Sequence, residues 1–420
     1  MAWLSLRAPG RGAALTCCGP ALLALALLSA CVPPEGKPQP PFVGAPPPGP
    51  VAQGPNAAVQ PPPPGNPAPQ AATGPSPEDA ATAGRTKVAL LVPLTGANKS
   101  VGQAMLDAGN MALFEVSSDL ALLPRDTGNS PEDARAAANN AVTNGAGLIL
   151  GPVFAASVPP VREVGDPAGI NVIAYSTDAS VAGGAVFVMG FLPAQQVDRV
   201  VGYAKSRGLG KLAALVPDNP YGVAVSTEIG IMRDKLGMAA PRILKLDKDP
   251  KAELDSLTSD PPDMLLIALG GDQLRALGPI LVDYLQQHPT QLLGTGLWDD
   301  PTLGQIPALV GGWYPAPVPD AFAAFEARFQ QTYNYKPPRI ATLAYDSVAL
   351  AAAITKGAPG NPKPFSRDVL TQANGFLGID GPFRFLPSGL VERNLAILVV
   401  GANGPQVADP PLANFEKLGE

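Results

Sequence analysis

Few side chains in this sequence have the type and spacing to break a bond. His288 is the only histidine among 420 residues, and one imidazole supplies neither a histidine-rich zinc site nor, without a second base, a serine triad. It stands before Pro289 and after Gln286 and Gln287, the setting of an exposed helix end. No Ser-x-x-Lys, Gly-x-Ser-x-Gly or Gly-x4-Gly-Lys-Ser/Thr pattern occurs, so a serine nucleophile, a hydrolase elbow and a phosphate-cradling loop all lack support. Gly294 and Gly296 form a pair without a third glycine and are read as a strand end. Asp299 with Asp300, and Asp126 with Glu132, are acid pairs of the kind glycoside cleavage uses, but surface turns and helix caps account for them better. The inventory argues against an enzyme and implies no cofactor and no metal.

The elements that would position such residues follow an α/β grammar. Residues 87–96 form an apolar run ending at Pro93 and Gly96, as expected of a strand buried on both faces of a parallel sheet. A helix is expected over 101–114, with Met105, Ala108, Met111, Ala112 and Phe114 inward. Ser130, Pro131, Glu132 and Asp133 supply an N-cap hydroxyl, a first-turn proline and two dipole-matched carboxylates for a second helix. Leu148, Ile149 and Leu150 are the next buried strand. Further strands are expected at 170–174, 212–216, 264–269 and 292–298, the last with Trp298 and Asp299 at its carboxyl end. Helices are expected at 157–165, 195–206, 321–333 (Phe322, Ala324, Phe325 and Phe329 inward) and 341–354, the last buried. Phe383 to Phe385 and 396–400 are read as a hairpin of the second lobe turning at Pro387, Ser388 and Gly389.

The order Val92, Pro93, Leu94, Thr95, Gly96, then Gly102, then residues 126–132, then Ile149, Leu150, Gly151, Pro152, continues through 170–174, 218–222 and 266–271. This series resembles the Leu/Ile/Val-binding, type I periplasmic binding-protein family, and within it the penicillin-binding protein activator lipoproteins. The resemblance implies an α/β fold of two doubly wound lobes with multiple hinge crossings. It places lobe 1 at 87–192 and 314–376, lobe 2 at 193–313 and 377–402, and a tail at 403–420. Amino-acid ligands of the family lie between the lobes. Carried over residue by residue, the candidate cleft set is Gly96, Phe154, Ala155, Ser176, Thr177, Asp178, Tyr221, Asp272 and Trp298. The match is incomplete: Phe154 and Ala155 stand where the amino-acid binders carry hydroxyls, and Asp178 replaces a threonine, a like charge for an α-carboxylate.

Ahead of the lobes, Arg7 and Arg11 precede a short apolar run over 21–28, far below the roughly 20 residues that span a bilayer. Residues 1–30 are therefore read as an export signal. Leu28, Ser29, Ala30 and Cys31 resemble a lipobox, which implies acylation of Cys31; Val32, not aspartate, after it implies the outer membrane. Cleavage removes Cys17 and Cys18, leaving no thiol for a disulfide, nucleophile or thiolate metal site. The segment 31–86 is rich in proline, alanine and glycine and lacks the aliphatic residues for a core. At about 3.1 Å per residue its 55 or so residues reach at most roughly 170 Å.

The remaining chain is acidic. Lys and Arg total 29 against 35 Asp and Glu, and loss of Arg7 and Arg11 leaves 27 basic side chains, a net of about −8. Such a surface argues against nucleic acid and leaves the lipid anchor as the sole membrane contact. Two functions fit the resemblance: a regulator docking on a peptidoglycan synthase from the inner face of the outer membrane, or the periplasmic component of an ABC importer, which hands an amino acid or similar small polar solute to a permease. The first is favoured by the anchor, the tether and the incomplete ligand set.

Overall fold

A parallel strand with every residue from Val88 to Val92 fully buried lies near the middle of the first lobe. This strand, β1 (Thr86–Val92), is flanked by β2 (Leu120–Asp126) and β3 (Leu148–Leu150), and β4 (Asn171–Ala174) and β5 (Val186–Val188) complete an all-parallel sheet in the order β2-β1-β3-β4-β5. The computed structural model describes residues 82–116, 119–246, 249–411 and 415; the export signal, Cys31 and nearly all of the tether lie outside them. Three helices, α1 (Lys99–Val116), α2 (Pro131–Thr143) and α3 (Val158–Ala168), cross over between the strands. Ser130 caps α2 as expected, its hydroxyl accepting from the Asp133 amide.

Strand β2 is a departure from the sequence reading, which passes from one helix to the next. Leu120, Ala121 and Leu123 are buried, and Pro124 is tolerated because β2 lies at the sheet edge, where a missing N–H need not break a ladder. Phe114 is the second departure. It lies nine residues, two and a half turns, beyond Met105, so it emerges on the opposite side of α1 and is 85 % exposed.

The second lobe repeats the plan. Strands β6 (Leu212–Pro217), β7 (Arg242–Leu246), β8 (Met264–Ile267), β9 (Gln291–Gly294) and β10 (Trp313–Ala316) run parallel in the order β7-β6-β8-β9-β10. Both sheets thus show the strand order of a doubly wound fold whose ligands sit beyond the carboxyl ends of the strands. Helices α4 (Pro193–Ser206), α5 (Pro220–Leu236), α6 (Pro250–Asp255) and α7 (Gly271–Gln287) cover its faces. Along β6, Ala213 and Leu215 join one buried cluster while Leu212, Ala214 and Val216 join another, as a strand with both faces covered requires.

After β10 the chain returns to the first lobe. Helices α8 (Pro319–Tyr333) and α9 (Ala341–Gly357) pack beside α1, with Phe325, Phe329 and Ala341 against Ala104 and Ala108. Ala324, expected inward, is exposed. A short helix α10 (Arg367–Leu370) precedes a small sheet of β11 (Phe376–Gly378), β12 (Gly381–Phe385) and β13 (Val391–Arg393). The chain then adds β14 (Ala396–Val399), antiparallel to β10, and β15 (Gln406–Asp409), antiparallel to β14.

Four sequence expectations are corrected by the strand pairing and packing. The hairpin partner of β12 is β13, not 396–400. Phe383 and Phe385 share one face and join the first core, with the Phe385 ring 5.3 Å from that of Phe187, whereas Arg384 faces outward and pairs with Glu392 at 2.5 Å. Residues 377–393 therefore pack on the first lobe. The expected division at 313/314 falls inside β10, whose Trp313 pairs with Leu293 and Val399 in the second sheet. Residues 403–420, expected as a tail, contribute β15.

Candidate functional site

Two passages between the lobes, from β5 to α4 and from β10 to α8, border one pocket of about 310 Å³, while a third, from β13 to β14, borders a separate groove. The walls of the pocket come from the carboxyl ends of strands in both sheets. Thr177 follows β4, Phe191 follows β5, Tyr221 follows β6, Gly296, Leu297 and Asp299 follow β9, and Pro315, Ala316 and Pro317 end β10. Gln196 reaches it from the first turn of α4, and Arg339 from the turn ahead of α9. This is where a doubly wound sheet presents a ligand site.

Apart from the exposed Thr177 hydroxyl, the polar side chains of the pocket are already engaged. The Gly296 amide donates to Gln196 Oε1 at 2.7 Å, and Gln196 Nε2 donates to the Phe191 carbonyl at 3.2 Å. One buried amide thereby ties α4, the first interlobe passage and the β9 turn together. Tyr221 donates its phenol proton to Thr295 Oγ1 at 2.8 Å. Burial pushes that phenol up to about 12, with the Thr295 bond pulling the other way, so it is a neutral group.

Arg339 links the two lobes by charge. Its Nε donates to Asp299 Oδ2 at 3.0 Å, and its Nη1 lies 2.6 Å from Asp380 Oδ1. The guanidinium also stacks 4.3 Å from the Phe322 ring centroid. Burial raises the Asp299 carboxyl above its ordinary range, although Arg339 pulls it down. Behind this pair, Asp380 is wholly buried and accepts from Thr342 Oγ1 at 2.6 Å. Asp346 accepts from the Ile379 amide at 2.7 Å. Arg393 donates from Nη2 to the Met189 carbonyl at 2.8 Å and lies 4.7 Å from the Phe191 ring centroid. Burial, then the Asp380 charge, pushes the Asp346 carboxyl up to about 7. Desolvation likewise lowers the buried Arg393, against the pull of the two carboxylates. Deep charges of this kind require partners: Asp380 faces Arg339 and Arg393, whereas Asp346, beside Asp380, is favoured in its protonated form.

Of the residues singled out from sequence, Thr177 and Tyr221 line the pocket. Ser176 and Asp178 are spent on their own loop: Ser176 Oγ accepts from the Asp178 amide, and Asp178 accepts from the Ser180 amide and hydroxyl. Gly96 has φ +76°, and a Cβ there would meet the Asn129 side chain at 1.9 Å; it is a turn glycine. Phe154 is 41 % exposed, Ala155 packs on the first core, and Asp272 is exposed in the first turn of α7. Trp298 is fully buried: Cβ atoms on Gly294 and Gly312 would sit 2.1 and 2.6 Å from its ring. It belongs to the core of the second lobe, and Gly294, read as a strand end, leaves room for that ring.

Phe191, Gln196, Leu297, Asp299 and Arg339 were not among the sequence candidates, although Asp299 was noted as one of an acid pair. The other acid of interest, Asp126, is occupied in a turn, accepting from the Leu94 and Gly128 amides at 2.8 Å each and from Thr95 Oγ1 at 2.6 Å. Burial works against its charge, but these hydrogen bonds outweigh it and hold the carboxyl below its usual value. A larger groove of about 660 Å³ runs beside α4 and β15. Two ion pairs cross it, Lys235 with Asp198 and Arg199 with Asp409 at 2.6 Å each, and it does not lie at the carboxyl ends of the parallel strands. No helix among the described residues is long and apolar enough to cross a membrane.

Fold and pocket together define a bilobal α/β protein with a cleft between the strand ends of its two sheets. Residues 85–405 match the family described as periplasmic binding protein, and the chain belongs to that family. No curated protein matches it in sequence. Among solved structures it is similar to a putative branched-chain amino acid ABC transporter from Rhodospirillum rubrum, at 17 % identity and TM-score 0.69, covering 77 % of this chain and 99 % of that one. It is also similar to the leucine-binding protein LivK of Thermotoga maritima (18 %, TM-score 0.57, 78 % and 98 %). A third is a solute-binding protein of Rhodopseudomonas palustris in complex with 4-hydroxybenzoate (16 %, TM-score 0.60, 79 % and 97 %). At these identities the likeness is one of fold.

Proposed function

We propose that this protein is the non-catalytic solute-binding component of an ABC importer, held in the periplasm by a lipid on Cys31. The observation that carries the reading is the pocket between the lobes, which draws Thr177 and Phe191 from one sheet and Tyr221, Leu297 and Pro315 from the other. A solute there touches both lobes at once, so its binding energy is available to hold them together and present a closed form to a permease. The solved structures of similar fold include ABC-transporter solute-binding proteins, which is consistent with this role. The proline-rich segment 31–86 serves as a tether that lets the lobes move away from the membrane surface.

A second reading, regulation of a peptidoglycan synthase, is favoured by one observation. Ser176 and Asp178, at the positions where the resemblance puts amino-acid ligands, bond to their own loop. The lobes would then serve as a docking body and the cleft as a relic. The two readings separate in one experiment. The full chain, purified and denatured, should release a retained small solute detectable by mass spectrometry, and deletion of its gene should abolish uptake of that solute. Absence of any retained solute, together with faster glycan polymerisation when the chain is added to a purified synthase, would favour the regulator and sink the importer.

A further inference from the structure

The walls of the cleft also carry information about what fits there. Five of its lining residues, Phe191, Leu297, Pro315, Ala316 and Pro317, are apolar, and Leu297 is left 44 % exposed. An apolar side chain in a pocket wall with nearly half its surface wet is a contact waiting for apolar material. The charges in the wall are already matched. Asp299 and Asp380 stand against Arg339, which bridges them, and against Arg393, which lies under the Phe191 ring. A zwitterionic amino acid needs a carboxylate for its ammonium, and Asp299, the one acid among the described wall residues, is committed to Arg339. A carboxylate ligand needs a cation, and Arg339, the one cation among the described wall residues, already faces two carboxylates. Either charge would have to be desolvated without a free partner, which is costly.

We infer that the cleft selects an uncharged, ring-sized solute bearing one or two hydroxyl or carbonyl oxygens. The ring would lie against Phe191, Leu297 and the prolines. For the oxygens there remain the exposed Thr177 hydroxyl and the Tyr221 phenol oxygen, which donates to Thr295 and keeps lone pairs free to accept. The volume is adequate: an apolar cavity of about 150 Å³ holds benzene, and this pocket offers about 310 Å³. The inference rests on the cleft being a solute site.

The test is thermal unfolding of the full chain with three probes at millimolar concentration: 4-hydroxybenzyl alcohol (neutral), 4-hydroxybenzoate (anionic) and leucine (zwitterionic). The neutral ring should raise Tm saturably, by roughly 3–6 °C at a hundredfold excess over Kd, and Leu297→Glu, on a solvent-facing turn, should abolish the rise. Asp299→Asn, which leaves Arg339 one carboxylate short, should strengthen 4-hydroxybenzoate binding roughly tenfold or more relative to the unaltered protein. If 4-hydroxybenzoate or leucine stabilises the unaltered protein, the neutral probe does not, and Leu297→Glu abolishes that shift, the solute class is overturned while the cleft reading stands. If none of the three stabilises it at any concentration, the inference falls and the cleft reading loses its support with it.

Discussion

The two lobes share one strand order and use it differently. In the first, the loops at the strand ends close on themselves: Asp126 gathers the Leu94 and Gly128 amides and the Thr95 hydroxyl, and Ser176, Asp178 and Ser180 bond in sequence. In the second, the corresponding loops put Tyr221, Gly296, Leu297, Asp299 and Pro315 into the cleft wall. The first lobe contributes Thr177, Phe191 and Arg339. The comparison teaches that like topology does not make like surfaces. One lobe provides most of the pocket wall, and the other provides a counter-face and the arginine that bridges to it.

Removing a large core side chain from each lobe is the strongest way to break that contrast. Trp298→Ala should destabilise by about 3–5 kcal/mol, because the ring fills space that Gly294 and Gly312 leave open and the vacated volume cannot collapse fully. It should also abolish solute binding, since Leu297 and Asp299 flank it in the wall. Leu90→Ala, in the middle of β1, should cost about 2–5 kcal/mol yet leave Kd within about twofold once both are measured well below the denaturation midpoint. Equal losses of affinity in the two variants would show that the wall does not stand chiefly on the second lobe. Next in size is Asp380→Ala, which strips a buried partner from Arg339 and Thr342 and should cost about 3 kcal/mol or more in denaturant unfolding.

What could be read from sequence divides along the same line. The buried strands were legible because both-face burial makes unbroken apolar runs, as in β1, β3 and β8. The edge strands β2 and β7 were not: Pro124 interrupts one, and the exposed Ile243 with Lys245 gives the other the look of a surface segment. Small-sheet pairing was missed because choosing between β13 and 396–400 as the partner of β12 depends on which lobe Phe383 and Phe385 pack against, a long-range fact. Of the pocket lining, Thr177 and Tyr221 were legible because they stand at strand ends within the resembling series. Arg339 and Gln196 precede or open helices with no local pattern to mark them. Only the assembled cleft shows that a lone arginine after Pro338 meets an aspartate 40 residues earlier in the chain.

The buried acids behind Arg339 give the comparison a pH axis. The Asp346 carboxyl, ordinarily near 3.8, is held at about 7 by burial and by Asp380, so between those values the folded protein keeps a proton that the unfolded chain has lost. Its contribution is therefore greatest at low pH and declines as pH rises from about 4 to about 7. Asp126 and Asp263, the latter accepting from the Gly210 and Lys211 amides, are both lowered and act in the opposite sense, contributing stability above the ordinary carboxylate range that is lost as pH falls. The informative quantity is the difference between the unaltered protein and Asp346→Asn, whose amide oxygen can still accept from the Ile379 amide. That difference should narrow or change sign as pH rises through this window, by a few kcal/mol at most. A difference flat from pH 4 to 8 would mean that Asp346 is ionised in the fold.

The smallest expected effect sharpens the comparison most. Asp178 occupies a position that the family resemblance assigns to the ligand, but its carboxylate accepts from the Ser180 amide at 2.9 Å and its hydroxyl at 2.7 Å. As a cap on a single exposed turn it should be worth about 0.5–1 kcal/mol, and Asp178→Ala should lower stability by that much with no change in solute Kd. Thr177→Val, one residue earlier, should do the reverse: stability within about 0.5 kcal/mol of the parent, and affinity weakened by the loss of one hydroxyl contact, about fivefold. Neighbouring residues with opposite outcomes would place the boundary between loop architecture and binding wall within a single peptide unit. Should Asp178→Ala instead abolish binding, the loop must open to admit the ligand, and the first lobe would be an active face of the cleft after all.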